Sequence, residues 1–565
     1  MNKDKVFFKI VFSIGLMLLL GLLAGGAAKF LAYFNSGGDR EDLLKLAEVL
    51  PDEISPEINW LPDDEDTGRP MEVFNRDIIA GGYVRALYQR DLSLFTGNSD
   101  GVKEYFTKES RPNIFHQISL VNEKKMSVER VELNHNLKLH FYSADGQIVS
   151  FTDYEVHTLK RLNTSKNERI LSTADTSSYK VIMQLDDGYW RIKHLERGIF
   201  EELYPDFVQD STAIFKEHRD SLLAHVPNIK GINYYPKDHP FKEFWVNYDT
   251  TAVEEDFELI KKMGLNTVRV FVNYEQFGKG VVVPEMLLRL EHLLNTAEAN
   301  KLQVLVTMFD FNSNYNLLNF ANTDRQLEVI LKRFKKHPAI LAYDLKNEPD
   351  IDYHYQNPDD VKQWLRFIIT KARKYDQWHP ITIGWAYPES AEYLSDSLDF
   401  VSFHYYRDLD NLGKDIDRLK EETNQKTLLL EEFGLSSYQS SIMPFGKTES
   451  QQAEHLKNVQ DILKSKGDIP YLYWTLYDFS EVAGDVAGSM PWQKGPQKSF
   501  GVLNQKGKPK KVYEVLVNPE QTHEFSILGK IPKYVFTYLV LLGVSILGSF
   551  IFWKAIIRRI KKINK

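Results

Sequence analysis

Cysteine is absent from all 565 residues, so neither a disulfide nor a thiolate contributes to fold or chemistry. That absence leaves the compartment open, because exported bacterial proteins often do without cysteine. A basic surface is missing too. With 70 Lys and Arg against 78 Asp and Glu, the formal charge is −8 and the pI is near 6.1, which argues against nucleic acid as a partner. Nor is there a zinc-ligand cluster or a glycine loop of the phosphate-cradling kind.

Long uncharged runs, by contrast, are present near both ends. "VFSIGLMLLLGLLAGGAA" (11–28) and "YVFTYLVLLGVSILGSFIFW" (534–553) approach the ~20 apolar residues that cross a bilayer and are expected as two membrane spans. Lys3, Lys5 and Lys9 precede the first, while Lys554, Arg558, Arg559, Lys561, Lys562 and Lys565 follow the second. The positive-inside rule then places both termini in the cytoplasm and the remainder outside the cell membrane, with membrane lipid as a partner. A cleaved signal peptide is the rival reading of the first run, with Ala24, Ala27 and Ala28 as its small-residue site.

The length and a hydrophobic content of 43% allow two or more domains. After an anchor over 1–35, residues 36–70 are rich in Asp, Glu and Pro ("PDEISPEINWLPDDEDTGRP") and read as an extended acidic linker. From Met71 a helical pattern, "VFNRDIIAGGYVRALYQRD", gives way to alternating runs such as "VELNHNLKLHFYSA" and "SYKVIMQLDDGYWRIKHLERG". A small α+β domain over 71–200 is predicted. Its helix-first order and closing hairpin resemble the NTF2-like fold. No convergent set of ionisable residues stands out in it, which favours a spacer or docking role. Residues 201–228 read as a helical connector and 526–565 as the C-terminal span with its basic tail.

From 229 the pattern becomes eight short β-rich runs separated by helical stretches: "IKGINYY" (229–235), "TVRVFV" (267–272), "VLVTMFD" (304–310), "ILAYDL" (340–345), "ITIGW" (381–385), "DFVSFHYY" (399–406), "TLLLEEF" (427–433) and "YLYWTLYD" (471–478). Apolar runs without alternation suit strands buried on both faces, and helical crossovers make them parallel. The predicted fold class is therefore α/β, a (β/α)8 barrel over 229–525 preceded by the small α+β domain.

Side chains at the C-terminal strand ends of such a barrel share one mouth. Those ends carry Arg269, Asp310 with Asn312 beyond, Asn347 and Glu348, His404 and Tyr406, Glu431 and Glu432, then Trp474 and Asp478. Two carboxylic acids from the fourth and seventh strands suit cleavage of a glycosidic bond, one protonated to release the leaving oxygen and one ionised to attack the anomeric carbon. Glu348 is the expected acid/base, with Asn347 beside it for a sugar hydroxyl. Glu432 is the expected nucleophile, kept ionised by Arg269 and Tyr406. His404 would tune that network or bind sugar, and Trp474 would floor one sugar ring. Two carboxylates and a water suffice, so no metal or organic cofactor is expected.

The motifs "VRVFV", "LKNEP", "SFHYY", "LLLEEFG" and "YWTLYD" occur in the order and at the strand ends seen in clan A of the glycoside hydrolases, and over 229–515 the chain resembles most closely the family 5 cellulase and mannanase group. The resemblance implies a retaining β-glycosidase with Arg269, Asn347, Glu348, His404, Tyr406, Glu432 and Trp474 in the site. One departure is plain: many members carry a histidine just after strand 3, where this chain has Asn312 in "FDFNSNY".

Blander readings stand beside these. Asn347, Glu348 and Pro349 could simply open a helix. Period two puts Glu431 and Glu432 on opposite strand faces, leaving Glu431 a structural pairing role. Arg269 could be a structural ion-pair partner, and Trp245, Trp385 and Trp492 could be sugar platforms or packing. A non-catalytic glycan-binding or scaffolding barrel, and a transglycosylase using the same glutamates, are the alternative functions. A polysaccharide or oligosaccharide substrate is expected, together with envelope polysaccharide-synthesis proteins as partners.

Overall fold

The computed structural model describes residues 56–563, apart from 165–167, 199–211, 441–442, 488–489 and 527. Among the described residues, fourteen strands fall into an open sheet and a closed barrel.

The small domain is built on a helix, Val73–Thr96, whose buried residues Ile79, Ala80, Tyr83, Val84, Leu87 and Leu94 recur at helical spacing. Gly97 ends it at φ 72, a conformation that only glycine adopts without cost. Around it lie β1 (Glu57–Trp60), β2 (Met126–Glu132), β3 (Asn134–Tyr142), β4 (Ile148–Thr164), β5 (Arg169–Asp186) and β6 (Tyr189–Gly198). Successive strands run β1-β3-β4-β5-β6, with β2 also on β4. β4 is long enough to pair β3 over 149–154 and β2 over 158–164. Glu155, at φ 52, turns it between the two partners.

Two expectations for this region change. β1 lies within the stretch expected as a linker, yet pairs in parallel with β3 from Glu57↔Asn134 to Trp60↔Leu137. Acidic composition reports how side chains are solvated and does not prevent backbone pairing at a sheet edge. Ionisable residues also converge inside the domain: Arg90 bonds Asp91 at 2.8 Å and Glu132 at 2.7 Å, and His135 meets Asp153 at 2.6 Å. They come from separate strands and the helix, so no local motif announces them, and burial forces each to take a partner.

A helix over Thr212–Leu223 and a 3-10 turn, Val226–Asn228, lead into the second domain. Its strands are β7 (Lys230–Asn233), β8 (Thr267–Asn273), β9 (Gln303–Asp310), β10 (Ile340–Asn347), β11 (Ile381–Trp385), β12 (Val401–Tyr405), β13 (Leu428–Phe433) and β14 (Tyr471–Tyr473). They close into an all-parallel barrel in chain order, β14 pairing with β7. Every residue of β8 and β13 is buried, as strands covered on both faces require. Leu305, Leu341, Ala342, Leu429 and Leu472 fill the lower interior, and Val226, Ile229 and Phe400 pack onto the same cluster. The polar residues are therefore left to the opposite, C-terminal end.

The C-terminal helix, Lys533–Ile563, covers the second run expected to cross a membrane. Among the described residues, however, no helix is long and apolar enough to do so. This overturns the placement as a two-span membrane protein with both termini cytoplasmic. The first run, 11–28, lies outside the described residues.

Candidate active site

Arg269 of β8 is fully buried at the centre of the mouth. Its Nε donates to Thr307 Oγ1 at 2.8 Å, Nη1 to Asn233 Oδ1 and Glu432 Oε2 at 3.0 Å each, and Nη2 to Asp344 Oδ2 at 2.7 Å and Asn347 Oδ1 at 2.8 Å. Burial alone would favour a neutral side chain, but Glu431, Asp344 and Glu432 outweigh it and hold the guanidinium firmly charged. One planar fork thus sets the orientation of residues from β7, β9, β10 and β13.

β10 continues through Asn347, so this amide is the last residue of a strand and its carbonyl oxygen is taken by Arg269. Glu348 follows at φ 48, and its N–H donates to Gly384 O at 2.7 Å. A left-handed glutamate costs roughly 1–2 kcal/mol, and here that turn accompanies a carboxylate in the mouth instead of in a helix. The next element is only a 3-10 turn, Ile351–His354, so the helix-opening reading of Asn-Glu-Pro does not hold.

Glu432 receives Tyr406 Oη at 2.6 Å on Oε1 and Arg269 on Oε2. His404 lies 2.9 Å from Glu348 Oε1 through Nδ1 and 3.4 Å from Glu431 Oε2 through Nε2. Burial would lower the pKa of this imidazole, yet Glu432 and the hydrogen bonds to Glu348 and Glu431 push it up to about 9. Both ring nitrogens then act as donors.

Glu431 departs from the sequence reading. Its carboxylate lies inside the barrel, 3.6 Å from Arg269 Nε. The β13–β14 register shifts between Leu430 and Phe433, and the β12–β13 register between Phe403 and His404. Such irregularities release consecutive residues from strict alternation, so Glu431 and Glu432 both face the interior, where Glu431 keeps its pairing role, against Arg269 and His404, and Glu432 lines the pocket. Burial raises the Glu431 pKa and Asp344 adds to this, while Arg269 and His404 oppose it.

The mouth opens into a pocket of about 770 Å³ counted out to solvent. Its apolar wall includes Tyr235, Phe241, Phe271, Phe311 and Trp474. Its polar lining includes Asp310, Asn312, Lys346, Asn347, Glu348 and Glu432. Asp310 accepts from Tyr235 Oη at 3.0 Å, and burial, opposed by Lys346, Tyr235 and Arg269, pushes it up to about 6. Asp344, Asn233, Thr307 and Lys346 were not expected as site residues. A polar residue repeated on a barrel strand was their signal, and only the closed geometry shows where each one points.

Of the other tryptophans, Trp245 is buried and donates to Phe271 O at 2.7 Å, and Trp385 is buried against Tyr393. Trp492 is half-buried on the short helix Pro491–Gln497, away from the pocket lining. Asp478 pairs with Lys510 at 2.9 Å, also off the pocket. Glu348, His404 and Glu432 each offer an atom within 4.8 Å of the others, a spacing that would suit a cation. A cation there would have to displace the proton of the His404 imidazole, whose pKa the surrounding carboxylates push up to about 9.

The comparison with known proteins gives the class: the protein carries a glycoside hydrolase domain. Residues 226–480 match the cellulase family, glycosyl hydrolase family 5. The chain is 21% identical over 267 residues to mannan endo-1,4-beta-mannosidase A of Emericella nidulans, covering 37% of this chain and 68% of the relative. It is 23% identical over 216 residues to the beta-glucuronidase of Chlorocebus aethiops, covering 34% of this chain and 32% of the relative. Among solved structures, an exo-beta-1,4-mannosidase from Opitutaceae bacterium strain TAV5 shares 19% identity at a TM-score of 0.42, over 51% of this chain and 58% of that one. The chain thus spans between about a third and two thirds of the length of these three proteins.

Proposed function

We propose that the barrel cleaves β-glycosidic bonds of a polysaccharide or oligosaccharide with retention of configuration, Glu348 acting as acid/base and Glu432 as nucleophile. The observation that carries this is the approach of the two carboxylates, with an oxygen of each and a nitrogen of His404 all within 4.8 Å. So close an approach of single oxygens is in keeping with the ~5–5.5 Å between carboxyl groups in retaining glycosidases. Protonated Glu348 gives its proton to the leaving oxygen while Glu432 attacks the anomeric carbon. Water, deprotonated by Glu348, then cleaves the glycosyl ester. Arg269 and Tyr406 orient Glu432 through one oxygen each. The amide nitrogen of Asn347 is left to reach a sugar hydroxyl, and Trp474 offers a ring face to a pyranose.

The names of the relatives, a beta-mannosidase and a beta-glucuronidase, agree in the β linkage. The small domain, a curved sheet packed on one long helix, suits an NTF2-like reading.

The test is mass spectrometry after incubation with a panel of 2-deoxy-2-fluoro-β-glycosides. A single covalent adduct on Glu432 is expected. An adduct on Glu431 would reassign the nucleophile, and no adduct together with no release of reducing sugar would point to a glycan-binding barrel. Product analysis in the presence of excess acceptor sugar separates hydrolysis from transglycosylation.

A further inference from the structure

The small domain grips a loop beside the pocket through two charged residues that the sugar chemistry does not use. Arg161 of β4 is fully buried, although it belongs to a sheet outside the barrel. Its Nε donates to Gln363 Oε1 at 2.8 Å, and its Nη1 donates to Tyr315 O at 3.2 Å and lies 3.3 Å from Glu129 Oε2 and from Asp360 Oδ1. The guanidinium sits 5.2 Å from the centre of the Phe320 ring. Glu129 of β2 accepts the backbone N–H of Leu317 at 3.3 Å on Oε2 and Asn163 Nδ2 at 2.9 Å on Oε1. One cation and one anion of the small domain thus hold a carbonyl and an amide of the same barrel loop.

That loop joins β9 to the helix Phe320–Phe334, and at its start Phe311 and Asn312 line the sugar pocket. Residues 312–316 have no helix or strand. Inside the loop, Asn312, Asn314 and Asn316 each accept an N–H two residues on, at 3.2, 3.0 and 3.2 Å. These turns shape the segment locally but do not fix where it stands relative to the barrel. Asn312 is 3% exposed and its Nδ2 has no partner among the described residues, a buried donor beside an open pocket. Further along, Tyr315 Oη donates to Asp352, which is 3.8 Å from Lys346 Nζ. That ammonium donates to Asn347 O at 2.7 Å, next to Glu348.

We propose that the small domain is a built-in wall of the active site: Arg161 and Glu129 are positioning residues that hold the 311–319 loop so that Asn312 presents its amide N–H to a hydroxyl of the bound sugar. This rests on the glycosidase reading of the pocket, and it assigns the small domain a role in substrate binding beyond that of a spacer. Neither residue touches substrate. Each acts through the backbone of Tyr315 or Leu317.

The test uses the full chain with Arg161→Met, Glu129→Gln and Lys160→Ala. Lys160 is a control on the same strand, its Nζ on Asp175. Glu129→Gln keeps the side-chain volume but removes the charge facing Arg161 and one of the two acceptor oxygens, so it stays informative if Arg161→Met fails to fold. Hydrogen exchange of peptides covering 311–319 should quicken about tenfold in the Arg161 and Glu129 variants, with the barrel strands unchanged, because local opening there loses its tertiary restraint. With whichever 4-nitrophenyl β-glycoside of mannose, glucose or glucuronic acid the wild type hydrolyses, KM should rise about tenfold and kcat stay within about twofold, the signature of lost binding carried equally by ground and transition states. Lys160→Ala should match the wild type in both. Unchanged exchange at 311–319 in the folded variants, or lowered thermal stability with unchanged KM, would overturn the proposal. A wild type that hydrolyses no glycoside would sink the glycosidase reading, while the exchange measurement would still judge the hold on the loop.

Discussion

His404 Nδ1 lies 2.9 Å from Glu348 Oε1, which places a ring charged up to about pH 9 directly on the proposed acid/base. The fully buried imidazole faces Glu348 just after β10, Glu431 and Glu432 from β13, and through them Arg269 and Asp344. Its folded pKa is raised above the ordinary value of 6.5. The stabilisation it gives is therefore complete below about 6.5 and is lost as pH rises through about 9. The unfolding free energies of wild type and His404→Gln, measured in urea, should converge over that window. In activity the same ionisation should give kcat/KM of the wild type a basic limb near 9. A difference independent of pH between 6 and 10 would mean that His404 is neutral in the folded protein.

Asp310 gives the opposite sense at neutral pH. Its carboxyl is pushed from 3.8 up to about 6 mainly by burial, so ionising it above pH 6 costs folding free energy. Asp310→Asn keeps an acceptor for Tyr235 and removes the charge. The variant should equal or exceed the wild type in stability above pH 6, by up to about 3 kcal/mol, and fall to parity near pH 4. If Asp310 also binds sugar, KM rises in the same variant, so thermal scans over pH and steady-state kinetics read the two roles separately.

Much of the barrel was legible because each strand is an apolar run bounded by helical pattern. β11 matches its run at both ends, and β8, β9 and β13 do so within one residue. β14 is shorter than expected, Tyr471–Tyr473, since its last residues belong to the mouth and not to the ladder. Arg269, Asn347, Glu348, Asn312, His404, Tyr406, Glu432 and Trp474 meet at that mouth because a strand end fixes both position and direction. Glu431 escaped, since a register shift undoes the period-two rule on which its outward placement rested. The grip of Arg161 and Glu129 escaped for a different reason. It joins positions more than 150 residues apart along the chain, and no local pattern encodes such a pairing.

Gly384 explains how a third carboxylate fits. A Cβ there would stand 2.3 Å from Glu431 Oε2 and 3.1 Å from both Arg269 Nη2 and Asp344 Oδ2. Gly384→Ala should therefore destabilise the protein by about 1–3 kcal/mol, the usual cost of overfilling a packed interior. It should also lower kcat, because the displaced groups orient Glu432. Gly384→Ala combined with Glu431→Gly should recover most of the stability, which urea titrations of the two variants would show. Recovery of stability without recovery of kcat would locate a catalytic contribution in the Glu431 carboxylate itself.

Arg269 carries the most consequential prediction, because two replacements separate its charge from its shape. The side chain spends its donors on Thr307, Asn233, Glu432, Asp344 and Asn347. Arg269→Met leaves Asp344 and Glu432 without their cation in a site of negligible exposure, and losing one partner of a buried ion pair costs about 3–5 kcal/mol. Arg269→Lys keeps a charge but offers a single ammonium with three protons, which cannot meet groups from four strands at once. It should remain folded, within about 2 kcal/mol of the wild type, while kcat/KM falls about 10²–10³-fold, the scale on which misorientation of a reacting group is felt. Denaturant titration and steady-state kinetics on the same preparations decide it. Full activity in Arg269→Lys would show that the cluster needs only a positive charge, and the orientation of Glu432 would then have to come from Tyr406 alone.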